Sequence, residues 1–268
     1  MMISKKVVVI GAGAAGLMAG ATAALYGASV TIIEKNKRVG RKIMITGKGR
    51  CNLANNCDVQ TFINNVPVNG RFLYSAINAF TPEDTIEFFE SKGLKTKTER
   101  GNRVFPASDK SVDVVDTMHD YAVESGCKIV CDTANALILE DGAVIGVKCE
   151  ENTYYADSVI ICCGGKSYPL TGSTGDGYTL AKQAGHTIVP LKPSLVPFTS
   201  GDKQCKDMQG LALKNVALRI VDKNSKKTVY SDFGEMLFTH FGMSGPMILS
   251  ASSHIRDIQP DRYIAEID

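Results

Sequence analysis

Two stretches carry residue types whose spacing could do chemistry. The first is Gly11-Ala12-Gly13-Ala14-Ala15-Gly16, a GxGxxG run directly after four β-branched residues, Val7 to Ile10. The second, VGRKIMITGKGRCN from Val39 to Asn52, interleaves three glycines with Arg41, Lys42, Lys48 and Arg50. In the first, Gly11 can make a tight strand-to-helix turn, Gly13 can let a pyrophosphate reach the backbone, and Gly16 can let helix and strand pack closely. The free amides and positive dipole end of the helix would then face the anion. Glu34 ends the next apolar run, Ser29 to Ile33, and is placed to accept hydrogen bonds from an adenosine ribose. An acid there disfavours a 2′-phosphate, so NAD or FAD fits better than NADP, and the fingerprint alone does not choose between them.

The second stretch excludes two readings on specifics. Walker A requires Ser or Thr after its lysine, and Lys48 is followed by Gly49. An RNA-binding loop wants aromatics to stack bases, and residues 35–57 contain none.

RVGRK after the acid resembles the second motif of glutathione-reductase-type FAD proteins, with one glycine where two often stand. GRKIMITGKGRCNLANN, GNRVFPASDKS, CCGGKSYPLTGSTGDGYTLAKQAGH and MLFTHFGMSGP resemble bacterial FAD-dependent oxidoreductases of the aminoacetone-oxidase-like or BaiN-like type. With the fingerprint, these stretches cover nearly the whole chain. The resemblance implies an α/β fold: a Rossmann-like FAD-binding domain with an inserted β-meander, plus an incomplete β-rich second domain. The expected extents are residues 1–193 and 194–268.

The resemblance further implies FAD as cofactor, with NAD(P)H as a transient electron donor. It lays the TGKGRCN loop along the flavin, where cations and amides stabilise the anionic reduced ring; Lys42, Arg50 and the backbone at Gly47 and Gly49 are the candidates. The full set of expected cofactor contacts is Gly11, Ala12, Gly13, Ala14, Ala15, Gly16, Glu34, Lys35, Arg41, Lys42, Thr46, Gly47, Gly49, Arg50, Cys51, Asn52, Ala134, Cys163, Gly164 and Gly165. Ala134 would touch the adenine edge through its backbone. Arg38 and Lys48 are expected to be solvated, and His240 to be structural. The implied reaction moves hydride between a small organic substrate and flavin N5. It would either oxidise a small amine such as aminoacetone or reduce a conjugated, bile-acid-like carbonyl. A non-catalytic dinucleotide-binding protein is the reading from another class.

These residues need elements to hold them. Leu17 to Tyr26 read as a helix stopped by Gly27, and Lys128 to Cys131 as a further Rossmann strand. Residues 72–92 and 111–125 read as mainly helical, with Thr81 as N-cap and Pro82 at the first helical position. Residues 135–155 suggest a β-meander, and Val159 to Gly165 return to the parallel sheet. Later strands are expected at Val216–Val221, Thr228–Ser231 and Met236–Thr239, and a helix from Gly245-Pro246 toward Arg256. Arg262 to Asp268 read as a strand cut off before its partner. Members of the resembled family continue with a Gly/Asp-rich segment that contacts the flavin, so a truncated form with weak FAD binding is expected.

Composition narrows the partners. With 44% hydrophobic and 22% charged residues the chain reads as an ordinary soluble globular protein. A net charge of +2 and no basic–aromatic signature argue against nucleic acid. The eight cysteines form no CxxC pair and none sits at a ligand spacing from the four histidines, so reduced thiols and no metal are expected. MMISKK before a long uncharged segment has the outline of a signal or anchor, but that segment is mostly Gly and Ala. The expectation is a cytoplasmic protein acting on a small molecule, without membrane or nucleic acid.

Overall fold

The computed structural model describes residues 4–255 and 257–268, and the chain forms two compact units. Met1 to Ile3, the start of the basic leader, and Arg256, the expected helix limit, lie outside the described residues. The first unit holds residues 4–62 and Tyr74–Ile188, and the second holds Ile63–Leu73 and Val189–Asp268.

In the first unit β1 (Lys6–Ile10) leads through the crossover helix α1 (Ala14–Leu25) to β2 (Ser29–Glu34). The parallel sheet runs in the order Ser158–Ile161, β1, β2, Lys128–Cys131. Both faces of β1 are covered, which explains its unbroken β-branched run. Val9 packs with Leu17 and Ala21 of α1 and with Val115 and Met118 of the helix Ser111–Glu124. Val8 and Ile10 point the other way, onto Val147 and Cys149 of the three-stranded meander and Leu180 of the helix Asp176–Gln183. The meander consists of Ala134–Glu140, Ala143–Cys149 and Thr153–Tyr155, all antiparallel.

Between β2 and the third parallel strand the chain makes the short helix α2 (Arg41–Ile45), the small sheet of Ala54–Asn55, Arg103–Pro106 and Thr96–Glu99, and the helix Pro82–Ser91. That helix starts where the local chemistry dictates. Thr81 Oγ1 accepts from the Asp84 amide (3.0 Å) while the Asp84 carboxylate accepts from the Thr81 amide (2.8 Å), a reciprocal capping box. Among the described residues no helix is long and apolar enough to cross a membrane.

The second unit is a five-stranded antiparallel sheet in the order Phe198–Thr199, Gly242–Ser244, Thr228–Thr239, Ala212–Asp222, Tyr263–Ile267. The helix Pro246–His254 buries Met247, Ile248 and Ala251 with the sheet residues Leu218, Ile220, Met236 and Phe238. Two expectations change here. The strands foreseen at 228–231 and 236–239 are one continuous strand, and the terminal strand has a partner: it pairs with Ala212–Asp222, Leu218 facing Ile267 and Asp222 facing Tyr263.

Candidate functional site

The chain leaves β1 toward β2 on one side and returns much later to the strand Ser158–Ile161 on the other. In open α/β sheets such a switch opens a crevice at the carboxyl ends of the strands. Here that crevice is a cavity of about 900 Å³ lined by Gly11, Gly13, Ala14 and Ala15, among others.

The three fingerprint glycines differ in what constrains them. A Cβ on Gly16 would lie 1.7 Å from the Gly11 carbonyl oxygen, so α1 can sit against the turn only without one. Gly11 has φ +102 and a Cβ there would lie 2.6 Å from the Cys162 oxygen. Gly13 is the opposite case: its Cβ would meet nothing within 4 Å, and its φ of −82 is ordinary. It is the N-cap of α1, which has no capping side chain and no acid in its first turn. The helix therefore presents uncapped amides and a positive dipole end to the cavity.

Ala12 is buried, and its amide donates to Glu34 Oε2 (2.8 Å) while its carbonyl accepts from the Gly40 amide (2.9 Å). Glu34 also accepts from the Asn36 amide (2.9 Å) and Nδ2 (2.6 Å) and still lines the cavity. Lys35 reaches across to the loop before the helix Asp176–Gln183, donating to Thr174 Oγ1 (2.7 Å) and Asp176 Oδ2 (2.6 Å). Burial disfavours the charged Asp176, but the bonds from Lys35 and Thr174 outweigh it and hold its pKa below the usual range. Cys163 is pushed up to about 11 by burial, helped by the Asp176 charge, and is a neutral thiol at physiological pH.

The basic loop divides. Lys42 lines the cavity, its Nζ 3.4 Å from Ser167 Oγ, and among the described residues it has no carboxylate partner. Arg50 turns elsewhere. Its guanidinium donates to both Glu99 oxygens (2.8 and 3.3 Å) and to Asp109 (3.2 Å), and stacks 4.0 Å over the Phe105 ring. A Cβ on Gly47 (φ +55) would meet the Asn52 amide nitrogen at 2.9 Å and the same Phe105 ring at 3.1 Å. Arg50 and Phe105 thus pin the turn from below, while Thr46, Cys51 and Asn52 face the cavity. Arg38 and Lys48 are exposed.

Of the expected contacts, the cavity gathers Gly11, Gly13, Ala14, Ala15, Glu34, Lys35, Arg41, Lys42, Thr46, Cys51, Asn52, Ala134, Cys163 and Gly164. It does not gather Ala12, Gly16, Gly47, Gly49, Arg50 or Gly165 into its lining. Sequence reasoning missed two walls. One is the loop from Thr171 to Asp176. The other is an apolar end built by Met18, Leu53, Thr85, Phe89, Val114 and Met118. Residues 85/89 and 114/118 are i, i+4 pairs that share a helix face, a pattern equally that of ordinary core residues.

Fold and site together define a Rossmann-type dinucleotide-binding domain. The chain belongs to the HI0933-like family: the family model described as the HI0933-like protein Rossmann domain matches residues 5–251. It is 31% identical over 250 residues to a 3-dehydro-bile acid delta(4,6)-reductase of Clostridium scindens, covering 92% of this chain and 59% of that one. It is 30% identical over 259 residues to a ribosomal RNA dihydrouridine synthase of Escherichia coli, covering 96% and 62%. The chain thus spans about three fifths of the length of these relatives. Among solved structures it resembles the 3-ketosteroid-delta4-(5alpha)-dehydrogenase from Rhodococcus jostii RHA1 in complex with 4-androstene-3,17-dione (TM-score 0.53, 14% identity, 84% of this chain and 67% of that one). It also resembles Mycobacterium smegmatis Sdh1 in complex with UQ1 (TM-score 0.52, 20% identity, 68% and 38%). At these identities the likeness is one of fold.

Proposed function

We propose that this chain is the cofactor-binding part of an FAD-dependent reductase that hydrogenates a carbon–carbon double bond conjugated to a carbonyl. One observation carries the cofactor assignment: the uncapped start of α1 opens, across a Gly13 with nothing before it, into a cavity that has the Glu34 carboxylate in its wall. The residues fit the cofactor by chemistry. Amides at Gly13 to Ala15 suit a diphosphate, the lone pair left on Glu34 Oε2 suits a ribose hydroxyl, and Lys42 is a cation free to face an anionic reduced ring.

The direction of reaction rests on the relatives. A bile acid delta(4,6)-reductase and a dihydrouridine synthase share one operation, the addition of two hydrogens across a double bond polarised by a carbonyl. That favours reduction over oxidation of a small amine. Bound, the flavin would supply a hydride from N5 to the β-carbon, water a proton to the α-carbon, and NAD(P)H the electrons that restore it. The chain's own part is to grip the diphosphate at α1, to fix the ribose through Glu34, and to hold the Thr171–Asp176 wall of the crevice in place through Lys35.

The test is anaerobic. Loaded with FAD and reduced by NADPH or dithionite, the protein should regain its visible flavin band when a conjugated enone is added, with the product two hydrogens heavier by mass spectrometry. Failure to take up FAD refutes the cofactor assignment. Bleaching of oxidised flavin by aminoacetone, without reoxidation by the enone, refutes the direction.

A further inference from the structure

We infer that Lys42 Nζ and Ser173 Oγ form a two-donor oxyanion site beside Gly164, filled by the diphosphate of the bound nucleotide. The inference rests on the FAD reading above and adds Ser173 to its contacts.

Ser173 carries the first observation. It lines the cavity, it is only 6% exposed, and among the described residues its hydroxyl makes no hydrogen bond. Buried hydroxyls in folded proteins are nearly always paired, so one left open on a cavity wall points to an acceptor brought by a ligand.

The second observation is convergence. A Cβ on Gly164 would lie 3.2 Å from Ser173 Oγ and 3.8 Å from Lys42 Nζ, so both donors reach the space that a side chain there would fill. Gly164 has φ +72 and leaves that space open. Lys42 has no carboxylate partner among the described residues, and Ser167 Oγ at 3.4 Å takes one of the three hydrogen bonds its ammonium can donate. The carboxylates in the lining are committed elsewhere. Asp176 is held by Lys35 and Thr174, Glu34 by the Ala12 and Asn36 amides, and Asp132 by the Thr133, Glu151 and Asn152 amides. Arg41 is turned onto Asn36 Oδ1 (2.6 Å). A hydroxyl and an uncompensated ammonium closing on one open space suit an oxyanion, since hydrogen bonds to a charged acceptor are the strong ones.

Its place in the cavity identifies the oxyanion. Gly164 follows Cys163, whose Cα would lie 3.3 Å from a Cβ on Gly11. The pair therefore borders the fingerprint turn that leads into the uncapped amides of α1. A diphosphate carries oxygens on two phosphorus atoms, enough for those amides and for this pair together. Lys42 thus meets the diphosphate, ahead of the reduced ring that its charge alone would also suit.

The experiment is calorimetric titration of the FAD-free protein with FAD, with ADP and with inorganic pyrophosphate. The parent should bind all three. Ser173→Ala and Lys42→Met each remove a donor without adding bulk and should weaken ADP and FAD roughly 10- to 150-fold, with ligand-free melts unchanged. Lys48→Met, which removes an exposed cation of the neighbouring loop, should leave ADP binding within about twofold. Gly164→Ala fills the space and should weaken ADP at least tenfold; should it fail to fold, the other variants decide alone. ADP affinity unchanged in Ser173→Ala and Lys42→Met overturns the inference. So does a Lys42→Met protein with a lowered flavin reduction potential and undiminished ADP affinity, which gives Lys42 to the ring. If neither FAD nor ADP binds while pyrophosphate binding still depends on both residues, the cofactor reading fails and the oxyanion site stands. Pyrophosphate binding indifferent to both residues then removes the site as well.

Discussion

Gly13→Ala and Gly16→Ala add the same methyl group three residues apart, and the geometry requires opposite outcomes. At Gly16 the new Cβ would stand 1.7 Å from the Gly11 oxygen, 1.3 Å inside the 3.0 Å that real contacts almost never breach. The obstacle is backbone, so α1 must lift off β1, and behind it lie Leu17, Ala21 and Val9, all fully buried. Overpacking a tight core costs about 1–3 kcal/mol, and a backbone obstacle belongs at the upper end. About 3 kcal/mol corresponds to a fall in Tm of roughly 6–12 °C for a unit of this size. At Gly13 the Cβ meets only open space, and φ −82, ψ −170 is accessible to any residue. Stability should stay within about 1 kcal/mol, the loss of a glycine N-cap being offset by a stiffer unfolded chain. The methyl would instead stand where the diphosphate must approach. Loss of one charge-assisted hydrogen bond, about 1.5–3 kcal/mol, weakens FAD binding roughly 10- to 150-fold. Thermal melts of the FAD-free proteins and FAD titrations of both variants make the comparison. A Gly13→Ala protein that folds normally and binds FAD as well as the parent refutes the diphosphate assignment. A Gly16→Ala protein with an unchanged Tm refutes the packing argument.

Other outcomes follow from single contacts. Thr81→Ala removes the capping box of Pro82–Ser91 and should lower stability by about 1 kcal/mol, a Tm change of roughly 2–4 °C, without altering FAD affinity directly. At pH 8 iodoacetamide should modify the exposed Cys131 and leave Cys163 untouched; peptide mass spectrometry should find Cys163 labelled only as the pH approaches its value of about 11. Hydrogen bonding by Arg262 holds the Asp222 carboxyl below the ordinary range, against the opposing effect of burial, with the Asn224 and Ser225 amides assisting. A depressed folded-state pKa gives stability that is complete above the unfolded value near 4 and lost as pH falls through the folded one. Asp222→Asn should therefore lower neutral-pH stability of the second unit and flatten its acid unfolding limb, measured by near-ultraviolet circular dichroism.

What the sequence made legible is what short-range chemistry determines. The Gly11–Gly16 turn, the α1 stop at Gly27 and the Thr81 cap each depend on residues within a few positions, and each forms where expected. What it hid depends on partners far along the chain. Arg50 looked like a flavin cation because its carboxylates, Glu99 and Asp109, stand 49 and 59 residues away, and nothing in GKGRCN announces them. The terminal strand looked solitary because its partner begins 51 residues earlier, at Ala212 against Tyr263, and is separated from it by a strand pair and a helix. The break expected between Ser231 and Met236 does not form, because residues 228–239 pair along their length with Ala212–Asp222, a partner that precedes them across a turn. The apolar end of the cavity is the hardest case for a physical reason. Phe89, Val114 and Met118 have the periodicity of core residues because they are core residues on most of their surface. Whether the remaining surface meets a side chain or a vacancy is decided by how three separate helices approach one another, and helical spacing carries no information about that.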